Sequence, residues 1–247
     1  MKTIKLIILL AFFASTSMFA HDLALNSWND YWGDIEGKEV KMSLYRFNNQ
    51  QVRGHYYFIG TDEKIYLAGK IDNGTIKLYA IKNKKVIAVF NAKLTSNNTN
   101  KLEGSVSFDN KAAKKLKLNF ISTITSNYKT RYYLQSVTTY ETETFAKQLK
   151  NAILEKNKQW LSENISYPIM VSINGKSRTT IRNKKELLQN FDAIFHAAFI
   201  EKAEAFECID IFCNYKGLML GAGEIWMNCV STVNNDKCQL KITAINN

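Results

Sequence analysis

Between Gly37 and Tyr140 apolar and polar positions alternate in short runs broken by turn-forming residues, the period of two that sends successive side chains to opposite faces of a strand. The runs Val40 to Tyr45, Val52 to Ile59, Lys64 to Ile71, Thr75 to Ile81, Val86 to Ala92, Leu102 to Phe108, Leu116 to Ile124 and Arg131 to Tyr140 are rich in Val, Ile, Tyr, Phe and Thr. They predict eight strands in meander order. Asn73-Gly74 between two of them is a strong hairpin signal, because both turn positions need positive φ. Asn48 to Gln51, Lys82 to Lys85 and Asp109 to Ala112 serve the same role less sharply. Gly54, Gly69 and Gly104 recur within strands, where they permit the bends of a closed sheet. An antiparallel up-and-down barrel or strongly curved sheet over 21–140 follows.

The period changes at Glu141. From Thr144 to Leu161 the apolar residues Phe145, Leu149, Ala152, Ile153 and Trp160 recur every three or four positions, which predicts an amphipathic helix. Tyr167 and Pro168 stop it, and Ile169 to Ile173 then meets Lys176 to Ile181 across Asn174-Gly175. A second helix is predicted from an Asn183 N-cap with Glu186 as capping-box partner, striped by Leu187, Leu188, Phe191, Ile194, Phe195, Ala198 and Phe199. Strands at Ile209 to Tyr215, Gly217 to Cys229 and Cys238 to Ile245 complete an α+β domain over 141–247, its helices covering one face of a sheet.

Residues 1–20, MKTIKLIILLAFFASTSMFA, fit neither pattern. Lys2 and Lys5 form a basic head, Leu6 to Ala14 an apolar run, and small residues lead to a cut after Ala20, the organisation of a signal peptide. The apolar run is too short for a membrane anchor, which needs about 20 residues, and nothing later in the chain reaches that length. No cysteine lies near the cut to carry a lipid. A soluble periplasmic or secreted protein is expected.

In that compartment cysteines default to disulfides. Cys229 and Cys238 flank the turn-rich Asn234-Asn235-Asp236 and are expected to pair, leaving Cys208 with Cys213. No CxxC spacing or nearby His supports a metal site instead, and no cofactor motif appears. The chain has 33 basic and 22 acidic residues, with two of the bases in the leader. Clusters such as Lys82, Lys84 and Lys85 read as solvated faces, with an anionic partner as the sharper alternative. Nucleic acid is not expected, since no recognition motif accompanies the charge.

The run Tyr167-Pro168-Ile169 with Asn174-Gly175-Lys176, then IRNKKELLQNF over 181–191 and GLMLGAGEIW over 217–226, resembles the C-terminal domain of a family of largely uncharacterised exported bacterial proteins. The order of elements from about 144 to 247 resembles the NTF2-like cone fold. The YLAGKI and DNGTIKLY stretches of the barrel part resemble the β-domain that sometimes precedes such modules. The resemblance implies a fold more than an activity, because NTF2-like members include isomerases, dehydratases and non-catalytic binding or inhibitory modules.

A cone of this kind encloses a pocket, which makes Glu224 and Trp226 candidates for a ligand site, the carboxylate fixing a polar group and the indole giving apolar contact. Packing of Trp226 under a helix and pairing of Glu224 with a lysine is the plainer reading. Asp210 with Tyr215 has the residue types of an isomerase base and donor, at a generic spacing. His196 reads as a surface residue, His55 lies in a barrel strand, and acid pairs such as Asp62 with Glu63 or Glu141 with Glu143 as turn and linker charges. No nucleophile elbow, zinc helix or phosphate loop appears. Trp28, Tyr31 and Trp32, ahead of the first predicted strand, are candidates for a binding lip or barrel plug, as are Tyr56, Tyr57, Tyr66, Tyr79, Tyr132 and Tyr133 for barrel contacts; core filling is the plainer role for all of them. The functional expectation is an exported binding protein for an envelope ligand or protein partner, of which an inhibitor or immunity-type factor is one form. The alternative is a small NTF2-like pocket enzyme, an isomerase or hydrolase, with Asp210 or Glu224 as carboxylate base.

Overall fold

The computed structural model describes residues 22–61, 63–95, 100–109, 111–132, 135–173, 178–232 and 235–247, with backbone alone at 232 and 235–237. The expected leader with His21, and Asp62, Tyr133, Asn234 and the Asn174-Gly175 turn, lie outside the described residues.

Eight strands close into an antiparallel barrel: β1 (Ser27–Ile35), β2 (Lys38–Arg46), β3 (Gln51–Phe58), β4 (Ile65–Asp72), β5 (Thr75–Lys82), β6 (Lys85–Thr95), β7 (Lys101–Phe108) and β8 (Lys114–Thr125). Neighbours in sequence are neighbours in space, and β1 pairs back onto β8. Alternate side chains fill the interior, among them Tyr31, Met42, Leu44, Tyr56, Leu78, Phe90 and Leu118, all nearly inaccessible to water. The barrel is thus a packed core rather than a channel. At Gly54 and Gly104 adjacent strands come so close that a Cβ would sit 2.0 Å from Ser43 O and 2.1 Å from Asn91 O respectively. Only a residue without a side chain fits the bend there.

The strand number matches the sequence pattern, but its membership is shifted by one. Ser27–Ile35, the segment holding Trp28, Tyr31 and Trp32, is the first strand and neither lip nor plug. Its Asn29, Asp30, Gly33 and Asp34 disguise it, since such residues are depleted in strands. They are tolerated because Asn29 Nδ2 donates to Ala24 O, Ser27 O and Leu44 O, and Asp30 is held by buried donors described below. Conversely the described residues of 131–140 form no strand. Thr138 caps a helix in a capping box with Glu141, so the β-branched Val137, Thr138 and Thr139 belong to a helix entry. The barrel ends at Thr125, ahead of the expected boundary at 140.

The second half is helical and sheet-bearing, so the α+β class is seen. Its elements are α1 (Thr139–Leu154), α2 (Lys158–Glu163), β9 (Ile169–Ser172), β10 (Arg178–Ile181), α3 (Lys184–Gln189), α4 (Phe191–Ile194), α5 (Ala197–Glu204), β11 (Phe212–Asn214), β12 (Gly217–Leu220), β13 (Ile225–Thr232) and β14 (Asn235–Ile245). Strands β11 to β14 form an antiparallel meander, and β9 and β10 a hairpin next to β14, tied by Asn247 to the backbone of Ser172. Both predicted helices are interrupted by polar caps. Asn157 accepts from Trp160 N to restart the first as α2, while Asn183 caps α3 as expected and His196 Nδ1 accepts from Phe199 N to start α5. The stripe Leu187, Phe191, Ile194, Phe195 and Phe199 is buried against Leu149, Ile153, Leu218, Ile225 and Met227.

The two halves share one core. Trp28, Tyr45 and Ile124 point outward from the barrel yet pack within the apolar cluster of the second half. Strands β1 to β3 are therefore buried on both faces over most of their length, whereas β5 shows clean alternation with one face in water.

Candidate functional site

The junction holds a chain of buried charges. Arg131, in the segment leaving β8, lies against the barrel wall with its guanidinium out of water. Its Nη2 donates to Asp30 Oδ2 at 2.7 Å and its Nη1 to Ser43 Oγ at 2.8 Å. Asp30 also accepts from Ser43 Oγ at 2.6 Å and Ser122 Oγ at 2.9 Å. Strands β1 and β2 thus each supply a hydrogen-bond acceptor to the arginine and β8 supplies Ser122 to hold Asp30, while the guanidinium carbon also lies 5.6 Å from the centre of the Trp28 ring.

Asp210 closes the cluster from the other half. It adopts φ +50, a conformation that Asp tolerates better than most residues, between Ile209 and Ile211, which are buried. Its Oδ2 lies 2.5 Å from His55 Nε2, its Oδ1 accepts from Lys64 Nζ at 3.1 Å, and Arg131 Nε is 3.8 Å away. Glu143 of α1 accepts from Lys64 at 2.7 Å and from the Asp210 backbone N–H at 3.1 Å. Burial alone would raise the Asp210 carboxyl, but His55, Arg131 and Lys64 together hold it well below the usual carboxylate range. Burial likewise works against the charged forms of Lys64 and Arg131, and the facing carboxylates, Asp210 and Glu143 for Lys64 and Asp30 and Asp210 for Arg131, raise both above their ordinary values. Tyr57, whose hydroxyl donates to Ile209 O at 3.3 Å, is raised by burial and by Asp210.

Above this cluster opens a cleft of about 700 Å³ between the barrel wall and the second half. Asp30, Ser43, Ser122 and Asp210 form its polar floor, and Trp32, Ile59, Ile121, Phe206, Phe212 and Met219 its largely apolar walls. Two loose ion pairs stand at its edge, Lys41 with Glu207 at 3.9 Å and Lys202 with Glu224 at 3.5 Å. Such volume and polarity fall in the range of small-molecule sites.

Of the four candidate ligand residues, the structure brings two to this cleft. Asp210 is in the floor, and Glu224 reaches the wall from the turn between β12 and β13, where its Oε2 also accepts from Ala222 N at 2.6 Å. Trp226 is half-buried on β13 opposite Met219 and does not line the cleft. Tyr215 is 82 % exposed at the β11–β12 turn, too far into solvent to act with Asp210. Arg131, Asp30, His55, Lys64 and Glu143 were not singled out by sequence pattern: each is an ordinary charged or polar residue until the fold places it, and Glu143 in particular reads as linker charge.

The sulfur chemistry divides. Cys229 and Cys238 are bridged across β13 and β14 with Cα atoms 5.3 Å apart, as expected. Cys208 and Cys213 do not bridge, contrary to expectation; both are buried thiols. Asp210 turns into the charge cluster between them, and Cys213 is fixed in β11 opposite Leu218, so each sulfur packs into the core by its own route. Burial pushes the Cys213 thiol up to about 11, although Arg131 works the other way.

Among the described residues no group of His, Cys, Asp and Glu is arranged to hold a metal ion, and no helix is long and apolar enough to cross a membrane. No protein-family model and no curated protein matches this chain.

Proposed function

We propose that the protein is an exported, non-catalytic binding protein whose ligand, from the cell envelope or from a partner protein, seats in the cleft between barrel and second half. The observation that carries this reading is the state of Asp210. A general base needs a proton affinity near the working pH and an acceptor lone pair facing the substrate. The Asp210 carboxylate has neither, being depressed well below its normal range and engaged by His55 and Lys64. The floor of the cleft is better suited to fix the two halves together than to react, while the walls offer apolar contact and the edge pairs offer both signs of charge. A ligand with an apolar body and a charged end suits that lining.

The leader-like first 20 residues support export, and the Cys229–Cys238 bridge agrees with an oxidising compartment. The order helix, helix, hairpin, helices and four-stranded meander, with helices packed over one sheet face, supports an NTF2-like cone for 141–247.

The test uses 1-anilinonaphthalene-8-sulfonate, an apolar ring system with an anionic end, and the full mature chain. Saturable one-to-one binding that quenches Trp32 and is lost in Ile121→Trp, which fills the cleft from an exposed position, is the expected result. Absent binding, or binding that Ile121→Trp leaves unchanged, overturns it. Asp210 and Glu224 do line one cleft, which favours a pocket enzyme as second reading. Turnover that disappears in Glu224→Gln or Asp210→Asn with folding intact would select that reading.

A further inference from the structure

The barrel wall that the second half leaves uncovered is ordered in its own way. Across β4, β5 and β6 the register sets Tyr66 opposite Ile81 and Ile81 opposite Val86. Two positions along, Ala68 stands opposite Tyr79 and Tyr79 opposite Val89. These six face outward, since the residues between them, Leu67, Leu78, Ala80 and Ala88, fill the interior. Tyr66 is 65 % exposed and Val86 55 %. Single exposed apolar residues need no explanation, but two adjoining cross-strand rows of them do.

Cations border the rows on both sides. Arg53 lies opposite Ala68, Lys70 opposite Lys77 in the next row, and the β5–β6 hairpin presents Lys82, Lys84 and Lys85. Lys77 Nζ lies 5.6 Å from the Tyr79 ring centre, and Glu63 partners Lys82 at 2.7 Å. Asp72, opposite Thr75, lies one row beyond the lysines, and Asp109, whose N–H donates to Ile87 O, stands at the β7 end of the Val86 row. Lys70 directly across from Lys77 is a like-charge pair that lowers stability in solution, so an anion between them would relieve it.

We infer that this wall rests on an anionic lipid bilayer. Tyr66 and Tyr79 have the amphipathic shape that settles at headgroup depth, with ring below and hydroxyl in the polar layer. Ile81, Val86 and Val89 add shallow apolar contact, and the surrounding lysines and Arg53 meet the negative surface, each contributing over about a Debye length. An acidic protein would use the charges without needing the apolar rows; a neutral apolar partner would use the rows without the lysines. A bilayer uses both. The site is independent of the cleft, which opens on the β8-β1-β2 side of the barrel.

The experiment is co-sedimentation of the full mature chain with vesicles of phosphatidylcholine alone and of phosphatidylcholine with 30 % phosphatidylglycerol. Binding to the anionic vesicles only, lost in 0.5 M salt, is expected. Lys84→Gln with Lys85→Gln should weaken it by roughly tenfold or more. Tyr66→Ser with Tyr79→Ser should also weaken it, while both double variants keep the wild-type circular dichroism and melting temperature because these side chains lie outside the core. Ile121→Trp should leave it unchanged, which separates this inference from the cleft reading. No sedimentation with anionic vesicles at low salt overturns the inference. So does binding indifferent to the tyrosines, which would point to a soluble polyanion or acidic protein as the occupant.

Discussion

At the scale of single residues, the buried ion cluster decides how the protein responds to substitution and to pH. Arg131 is tied to Asp30, Ser43 and, more loosely, Asp210 with almost no access to water. Removing one member of a buried set strands the others without a partner, at about 3 to 5 kcal/mol. Arg131→Met is expected to lower the urea-unfolding free energy by that amount; a loss under about 1 kcal/mol would mean the cluster is hydrated after all. The pH response follows from the sign of the Asp210 shift. Its folded carboxyl is depressed, so its stabilisation is fully present above the unfolded value of about 3.9 and is lost as pH falls through the lower folded value. Unfolding free energy measured from pH 7 downward should hold as far as this group is concerned to about pH 5 and then decline, and Asp210→Asn should start lower and decline less steeply. At the alkaline end the sign reverses: Tyr56, pushed up to about 12 by burial and Glu63, keeps its proton in the folded state while the unfolded chain loses it from about pH 10, so stability falls over that interval. Little of this was legible in the sequence. Asp210 drew notice as an acid near a tyrosine, yet its true partners lie 155, 146 and 79 positions away at His55, Lys64 and Arg131, and no local period encodes such distances.

At the scale of elements, the sequence was most readable where one face meets water. Strands β4 to β8 follow the alternation of Lys64 to Ile71, Thr75 to Ile81, Val86 to Ala92, Leu102 to Phe108 and Leu116 to Ile124 because buried apolar positions alternate there with positions open to water, many of them lysines. Strand β1 was illegible for the opposite reason: both faces are buried, one against the barrel core and one against the second half, and the latter is served by Asp30 and Trp28 rather than by Val or Ile. The bend glycines are a test of this level. Gly104→Ala would place a methyl 2.1 Å from Asn91 O and must push two ladder-bonded strands apart. A fall in stability of about 2 kcal/mol or more is expected by thermal unfolding, well beyond the roughly 1 kcal/mol by which Gly-to-Ala changes act in unstrained backbone. The same level accounts for the thiols. With Cys213 buried and pushed up to about 11, native protein at pH 8 should show negligible labelling of Cys208 and Cys213 by iodoacetamide, and two labelled thiols after unfolding in urea without reductant. Four unlabelled cysteines in urea would restore the second disulfide.

At the scale of the whole molecule, the barrel and the helix-covered sheet are two sequence regions that share one apolar cluster at their junction. The wall of β8, β1, β2 and β3 that faces the second half carries Trp28, Tyr45, Ile124, His55 and Tyr57, which the second half buries together with Phe47 and Tyr128. Were the halves independent domains, their contact would be a polar and replaceable surface, as interdomain contacts usually are. Here Trp28 and Tyr45 belong to the same apolar cluster as Leu149 and Phe191, and the charges that close the contact come from both sides. A protein composed as 21–140 plus 141–247 would unfold in two steps; this one should unfold in one. Circular dichroism at a strand-dominated wavelength and fluorescence of the tryptophans, which lie in both halves, are expected to give coincident urea transitions, and calorimetric and van't Hoff enthalpies should agree. The segment 22–125 expressed alone, with its eight strands intact in sequence, should be poorly soluble or molten because its uncovered wall exposes Trp28 and Tyr45 together with an Asp30 that keeps Ser43 and Ser122 but has lost the Arg131 cation. A stable, monomeric 22–125 with native-like near-ultraviolet dichroism would show that the buried junction is a late embrace of two finished domains, and the cleft between them would then be free to open and close.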